Sequence, residues 1–280
     1  MMKKTAWIFP GGSARGVYTA GALYALCEMD IQKPDIIIGC SGSAPTCLCY
    51  VTGQKEILKK VWLESLSTKE FVNILRFWKV IDIDYLIDIV IRKNNTPDME
   101  KVVKSPITIY FPLTNPMTGK LEYLSNKMGL DIWEIIKASV SVPIWTNLIS
   151  VMGIQVNGQF YTDSSPGSRF QLHVKKAIEV GAERVVVFDN WHLDDNPTGF
   201  LFTKLFAYMR NSRYRTNQLS YFEEMENFYI PANVEFIRLA PIKKLNMSRL
   251  ENDNLNARKI FKQGFEDTLN SEPLKKLSSL

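Results

Sequence analysis

Asp35-Ile36-Ile37-Ile38-Gly39-Cys40-Ser41-Gly42-Ser43-Ala44 sets the architecture of this chain. A short apolar run ends in glycine; then come a serine, a second glycine and small residues that open a helix. That is the layout of a nucleophile elbow, a serine held on a tight strand-to-helix turn. The turn pushes the hydroxyl out of the sheet, and its crowded backbone needs small neighbours such as Gly39, Gly42 and Ser43. Read alone, Ser41 is better taken as an ordinary helix N-cap, since an isolated G-x-S-x-G arises often by chance. If it is a nucleophile, the rest of the chain must supply a base and oxyanion donors.

On the N-terminal side, Thr5 to Phe9 reads as a first buried strand, and Pro10-Gly11-Gly12-Ser13-Ala14-Arg15-Gly16 as a glycine-rich loop. Val17, Ala20, Gly21, Tyr24 and Cys27 recur at helical spacing and predict an amphipathic helix. With Asp35 to Gly39 as the second strand, this makes a β-α-β unit with a parallel pair. On the C-terminal side, Gln54 to about Arg92 reads as mostly helical and rich in large apolar residues. Pro106 to Leu113 alternates as a strand, and Lys120 to Leu124 returns as a hairpin. Asp131 starts a helix, Asn157-Gly158 signals a second hairpin, and a helix from Gln171 to Val180 is closed by Gly181. Arg184 to Phe188 has the nearly all-apolar character of a central parallel strand. A long helix over 200–228, a strand over 234–240 and a helix over 256–269 complete the pattern. Strands alternating with helices predict a three-layer α/β/α sandwich with a mostly parallel central sheet. It is read as one domain over 1–280: core motifs at 5–190, a helical apolar insertion at about 54–100, and C-terminal helices and a strand at 200–270.

Composition is consistent with this. At 280 residues and 46% hydrophobic content, the chain can bury a sizeable core. A net charge of +5 is mild and suits ordinary solubility or attraction to anionic headgroups. The cysteines, Cys27, Cys40, Cys47 and Cys49, cluster near the N-terminus with no distant partners, which argues against a disulfide framework. With only His173 and His192 to join them, a zinc site is not expected. The apolar stretch after Lys3-Lys4 stops at Pro10, short of a signal sequence, and no run of about 18 apolar residues occurs. A cytoplasmic protein, with peripheral contact at a membrane surface as an option, is expected.

Backbone N–H groups at Gly11, Gly12 and Ser13 could converge on one small volume as oxyanion donors, with Arg15 adding positive field or fixing the loop. At this point the chain resembles the patatin-like phospholipases. Gly11 to Gly16 is similar to their G-G-G-x-R-G loop, Gly39 to Ser43 to their G-x-S-x-G elbow, and Ala138-Ser139-Val140-Ser141-Val142-Pro143 to their A-S-x-A-x-P segment. Asp163-Ser164-Ser165 falls where they carry D-G-G or D-G-A. The resemblance implies a Ser41–Asp163 dyad without histidine, a lipid ester as substrate, and no metal or organic cofactor. Ser13, Ser43, Ser164 and Ser165 depart from the family pattern. Serine at position 13 carries strain if φ there is positive.

Other readings compete. The glycine loop could cradle a phosphate, although G-G-x-x-x-G is neither a dinucleotide fingerprint nor a P-loop. Ser41, Asp163 and His192 occur in the order of a triad, but Asn190 to Asp195 reads as a surface loop, and His173 as structural. The apolar residues between Phe71 and Ile91 suit a core and acyl-pocket lining, or a bilayer contact. Phe200, Phe202, Leu205, Phe206, Tyr208 and Met209, interleaved with Lys204 and Arg210, suit a lipid interface or single-stranded nucleic acid. A helix with one packed and one solvated face is the simpler reading, and no nucleic-acid partner is expected. The expected function is lipid acyl hydrolysis of phospholipase A, lysophospholipase or esterase type. The alternatives are a catalytically weak or inactive lipid-binding protein on the same fold and, behind it, a nucleotide-binding protein.

Overall fold

The computed structural model describes residues 3–66, 68–143, 145–146, 152–164, 169–195, 199–248, 250–251 and 253–277, with backbone alone at 199–202. Its strands are β1 (Thr5–Phe9), β2 (Ile36–Gly39), β3 (Thr108–Thr114), β4 (Leu121–Ser125), β5 (Ile154–Val156), β6 (Gln159–Asp163), β7 (Arg184–Phe188) and β8 (Glu235–Leu239). They lie in the order β5-β6-β3-β2-β1-β7-β8, with β4 also paired to β3. β3, β2, β1, β7 and β8 are parallel, and β4, β5 and β6 are antiparallel. The sheet is therefore mixed and mostly parallel. β7 takes its all-apolar character from lying between β1 and β8.

The helices are α1 (Gly16–Glu28), α2 (Ser43–Val51), α3 (Lys55–Lys60), α4 (Met99–Lys104), α5 (Ile132–Ser139), α6 (Phe170–Glu179), α7 (Gly199–Tyr208), α8 (Ser212–Glu226), α9 (Asn254–Leu269) and α10 (Glu272–Lys275). Because side chains alternate across a strand, β1 sends Trp7 and Phe9 to one face and Ala6 and Ile8 to the other. Trp7, Phe9, Ile37 and Phe111 join α1, α2, α5 and α9 in the larger core. Ala6, Ile8, Ile38 and Val187 meet Val174 and Ala177 of α6 in the smaller one. These are the three layers. Among the described residues, no helix is long and apolar enough to cross a membrane.

Three local expectations are corrected. α1 is not amphipathic: eleven of its thirteen residues are buried. It lies under α9, and the two backbones touch where a Cβ on Gly264 would come within 2.1 Å of the Tyr18 carbonyl oxygen. The stretch after Gln54 is helical only in pieces. α3 widens into a π-type turn over Val61–Ser65, the chain then leaves the helix, and a second π-type helix covers Tyr85–Lys93. Between them a bridge joins Val72 to Ile81 and closes a loop. The long helix over 200–228 is two helices, because the Asn211 side chain caps α8 by accepting from the Tyr214 N–H. The Asn-Gly hairpin is as expected, with φ of 46° at Asn157 and 80° at Gly158.

The α1–α9 contact yields a testable sign. In an open helix Gly→Ala stabilises, but Gly264→Ala is expected to lower stability by about 2 kcal/mol, because the helices must separate. The urea midpoint measures it; an unchanged or higher midpoint would refute the close approach.

Candidate functional site

Ser41 leaves β2 with φ at 52°, a left-handed conformation that L-residues avoid, and α2 begins two residues later. The turn is locked from several sides. Cys40 N–H donates to the Phe9 carbonyl at 3.0 Å, and Ala44 N–H to the Ser41 carbonyl at 2.9 Å. Gly39 is required by contact, since a Cβ there would sit 2.9 Å from Cys47 Sγ. Ser43 joins the elbow to the glycine loop, because its Oγ donates to the Pro10 carbonyl at 2.9 Å. Ser41 therefore stands at the positive N-terminal end of α2, which favours a developing negative charge.

The glycine loop reaches the same place. Ser13 has φ at 52°, which is the condition under which a serine there carries strain. Gly12 has no room for a side chain: a Cβ would lie 2.6 Å from Asn190 Nδ2. Asn190, fully buried just past β7, donates to the Pro10 carbonyl at 3.3 Å and holds the loop from behind. The Gly11 N–H faces Cys40, where it favours the thiolate; burial outweighs it, followed by the negative charge of Asp163, and the Cys40 thiol is pushed well up. Arg15 is a brace. Its Nε donates to the Met247 carbonyl at 3.2 Å, Nη1 meets Asp195 Oδ2 at 3.3 Å, and the guanidinium stacks on Trp191 at 4.1 Å.

Asp163 ends β6, buried, opposite Leu113 of β3. β4 holds the other edge of β3, and β2 pairs the same edge as β6, over Thr108–Tyr110, so the chain leaves β2 just where β6 comes in at Leu113. Ser41, on the turn that leaves β2, and Asp163, at the end of β6, therefore come to the same edge and the same end of β3. The influence of the Asp163 charge on Cys40, the residue before Ser41, agrees with this placement. The Asp163 N–H donates to the Ser141 carbonyl at 3.0 Å, which ties the Ala138–Pro143 segment to the aspartate.

An apolar cavity opens beside Ser41. Ser13, Ala14, Ser41 and Gly42 form one part of its wall, and Val140 and Val142 another. Leu58, Val61, Trp62, Leu66, Phe71, Ile81, Leu86 and Ile91 supply much of the rest. The structure thus gathers the elbow, the glycine loop and the Ala138–Pro143 segment around one volume. Gly11, Gly12, Ser43 and Asp163 do not line it. Ser164 is buried next to Asp163, and Ser165 lies outside the described residues.

The histidines sit elsewhere. His192 Nδ1 accepts from the Asp194 N–H at 3.1 Å within its own loop, and His173 is buried with Nδ1 3.0 Å from the Tyr123 hydroxyl. On α7 and α8, Lys204 lies over Phe222, and Arg210 over Phe206 and Tyr214, so part of that aromatic set packs internally. The side chains of Phe200 and Phe202 lie outside the described residues. Trp62 was not singled out in the sequence, and Asn190, expected in a surface loop, is fully buried. A polar pair directly after the apolar β7, at the carboxyl edge of a parallel sheet, was the available signal for Asn190. Trp62, over Gly16 and Gly42, carried none.

Strain at Ser13 is testable. Ser13→Gly keeps the N–H and relieves the left-handed backbone, so stability is expected to rise by about 1 kcal/mol in urea unfolding. A fall would show that the Ser13 side chain contributes more than its backbone costs.

Comparison with known proteins agrees with this fold. The chain is 25% identical over 191 residues to the uncharacterized protein YjjU of Escherichia coli (strain K12), an alignment covering 66% of this chain and 51% of that one. It thus spans about half the length of that curated relative. The crystal structure of VipD from Legionella pneumophila superposes with a TM-score of 0.50 at 12% identity, covering 99% of this chain and 67% of that one, a likeness of fold. The family model for patatin-like phospholipase matches residues 8–165, from β1 through the elbow to the residues just past Asp163, and the chain belongs to that family.

Proposed function

We propose that this protein is a serine acyl hydrolase of lipid carboxylic esters. Ser41 is the nucleophile, Asp163 the base, and the loop at Gly11, Gly12 and Ser13 the oxyanion site. The observation that carries the reading is a serine with φ at 52° on a strand-to-helix turn, at the wall of an apolar cavity. Such a backbone is maintained against its own cost where the hydroxyl must be presented. Apolar walls beside it suit an acyl chain.

In this reading Ser41 Oγ bonds to the acyl carbon while its proton passes to the Asp163 carboxylate. The ester C–O bond breaks, and the leaving alcohol takes the proton from Asp163. Water then gives a proton to Asp163 and attacks the acyl carbon; the fatty acid departs and Ser41 Oγ is reprotonated. The N–H groups of Gly11, Gly12 and Ser13 are the oxyanion donors in this reading. Arg15 and Asn190 fix the loop that carries them. A second reading, a lipid-binding relative without turnover, is favoured by the serines at 13 and 164, where the family pattern has glycine or alanine.

Fluorophosphonate labelling with peptide mapping separates the two. A stoichiometric adduct on Ser41 is expected. No adduct on folded protein, with and without lipid micelles, would leave the non-catalytic reading. Cysteine labelling will not confuse the result, since burial pushes the Cys27 thiol up to about 11 and Cys49 to about 12.

A further inference from the structure

The loop between Phe71 and Ile81 is built against the usual rule for an exposed surface. Ile74, Leu75, Phe77 and Trp78 are 70%, 84%, 67% and 50% exposed, and the Phe77 and Trp78 rings meet edge-on at 5.1 Å. Its charged groups turn inward. Arg76 donates to the carbonyls of Lys79 at 2.6 Å and Glu70 at 3.1 Å, and pairs with Asp82. Lys79 pairs with Asp82 at 2.8 Å and Asp84 at 2.6 Å.

Part of the backbone is satisfied from within as well. Asn73 N–H donates to the Val80 carbonyl and Arg76 N–H to that of Asn73. Lys79 N–H donates to the Arg76 carbonyl, and Leu75 N–H to the Asn73 side chain. A loop that pairs its charged groups and part of its backbone, and presents apolar side chains, can enter the headgroup–acyl boundary, where the remaining N–H groups still meet water and headgroups. The base of the loop is continuous with the cavity, because Phe71 and Ile81 line it together with Ser41.

We propose that this loop is a bilayer-insertion element: Ile74, Leu75, Phe77 and Trp78 enter the headgroup–acyl boundary of a phospholipid membrane and bring the cavity to the lipid. The inference deepens the lipid-ester reading and rests on it for the purpose of docking, though not for the docking itself. Insertion is apolar, so it does not need anionic lipid and survives salt.

The test uses the whole protein with phosphatidylcholine vesicles in flotation assays, at low salt and at about 0.5 M salt. Wild type is expected to float at both. The double variant Leu75→Ser/Phe77→Ser should bind at least 30-fold more weakly, while Leu205→Ser/Met209→Ser, at the exposed end of α7 and just past it, stays within threefold. Trp78→Phe is expected to lose most of the fluorescence quenching by bromine-labelled phosphatidylcholine, which reads insertion without disturbing the fold. Fluorophosphonate labelling of Ser41 in solution should be unchanged in the loop variants. Failure to float, equal floating by the loop variant, or floating abolished by salt would overturn the proposal. So would loss of self-association, rather than of vesicle binding, in the loop variant. Floating that depends on the loop, without any Ser41 adduct, would support the loop and remove only the hydrolase reading.

Discussion

Ser41→Ala is expected to cut ester hydrolysis by about 10⁴-fold or more, the loss typical of removing an activated serine. Binding should persist, since the cavity wall is otherwise unchanged. What remains comes from the oxyanion donors and from binding. The companion variant makes the case sharper. Ser41→Gly is equally inactive but removes the left-handed strain recorded by φ at 52°, so it should gain about 1 kcal/mol of stability. Loss of turnover with a rise in the urea midpoint is the signature of a residue kept for chemistry. Activity retained in Ser41→Ala would end the serine-hydrolase proposal, whatever the stability.

Asp163→Asn is expected to lower turnover by about 10³-fold while leaving the fold intact. The substitution is close to isosteric. The Asp163 contact to Ser141 comes from its backbone N–H and is kept. Fluorophosphonate labelling should slow in parallel, because the base serves the attack of Ser41 itself. A side effect is predictable in sign: Asp163 helps hold the Cys40 thiol up, so removing its charge lets that thiol fall, with burial still holding it above its ordinary value. His192→Ala should change turnover less than twofold, as its ring is committed to the Asp194 N–H. If His192→Ala were the damaging variant and Asp163→Asn mild, the base would have been assigned to the wrong residue. Esterase kinetics on a soluble short-chain ester decide this without involving a membrane.

The architecture was legible because its signals are local. β1, β2 and β7 are short apolar runs bounded by glycine or charge, and hairpin chemistry at Asn157-Gly158 needs no tertiary information. The elbow and glycine loop were legible for the same reason, and the left-handed φ at Ser13 meets the condition set for strain there. Errors arose where apolar richness stood in for periodicity. Phe71 to Ile81 looked helical because it is apolar, yet those residues divide between cavity wall and exposed loop. α1 was read as one-faced because sequence does not reveal that α9 covers its other side. Asn190 and Trp62 act on the glycine loop and elbow from distant parts of the chain, and no neighbour in sequence announces that.

The sheet order has a consequence for how the protein is made. β1, at the start of the chain, lies near the middle of the sheet between β2 and β7, and its Thr5 pairs with Arg184. A ribosome that has delivered the elbow and the glycine loop has therefore not delivered the strand that closes the centre, nor α9, which covers α1. At about 5–20 residues per second, roughly 7–30 seconds then pass before β7 emerges. Through that interval one edge of β1 and the buried face of α1 stay exposed to other chains. Folding dominated by such distant pairings is slow and vulnerable to aggregation. Yield in the cell should therefore depend on chaperone supply more than the stability of the finished fold would suggest.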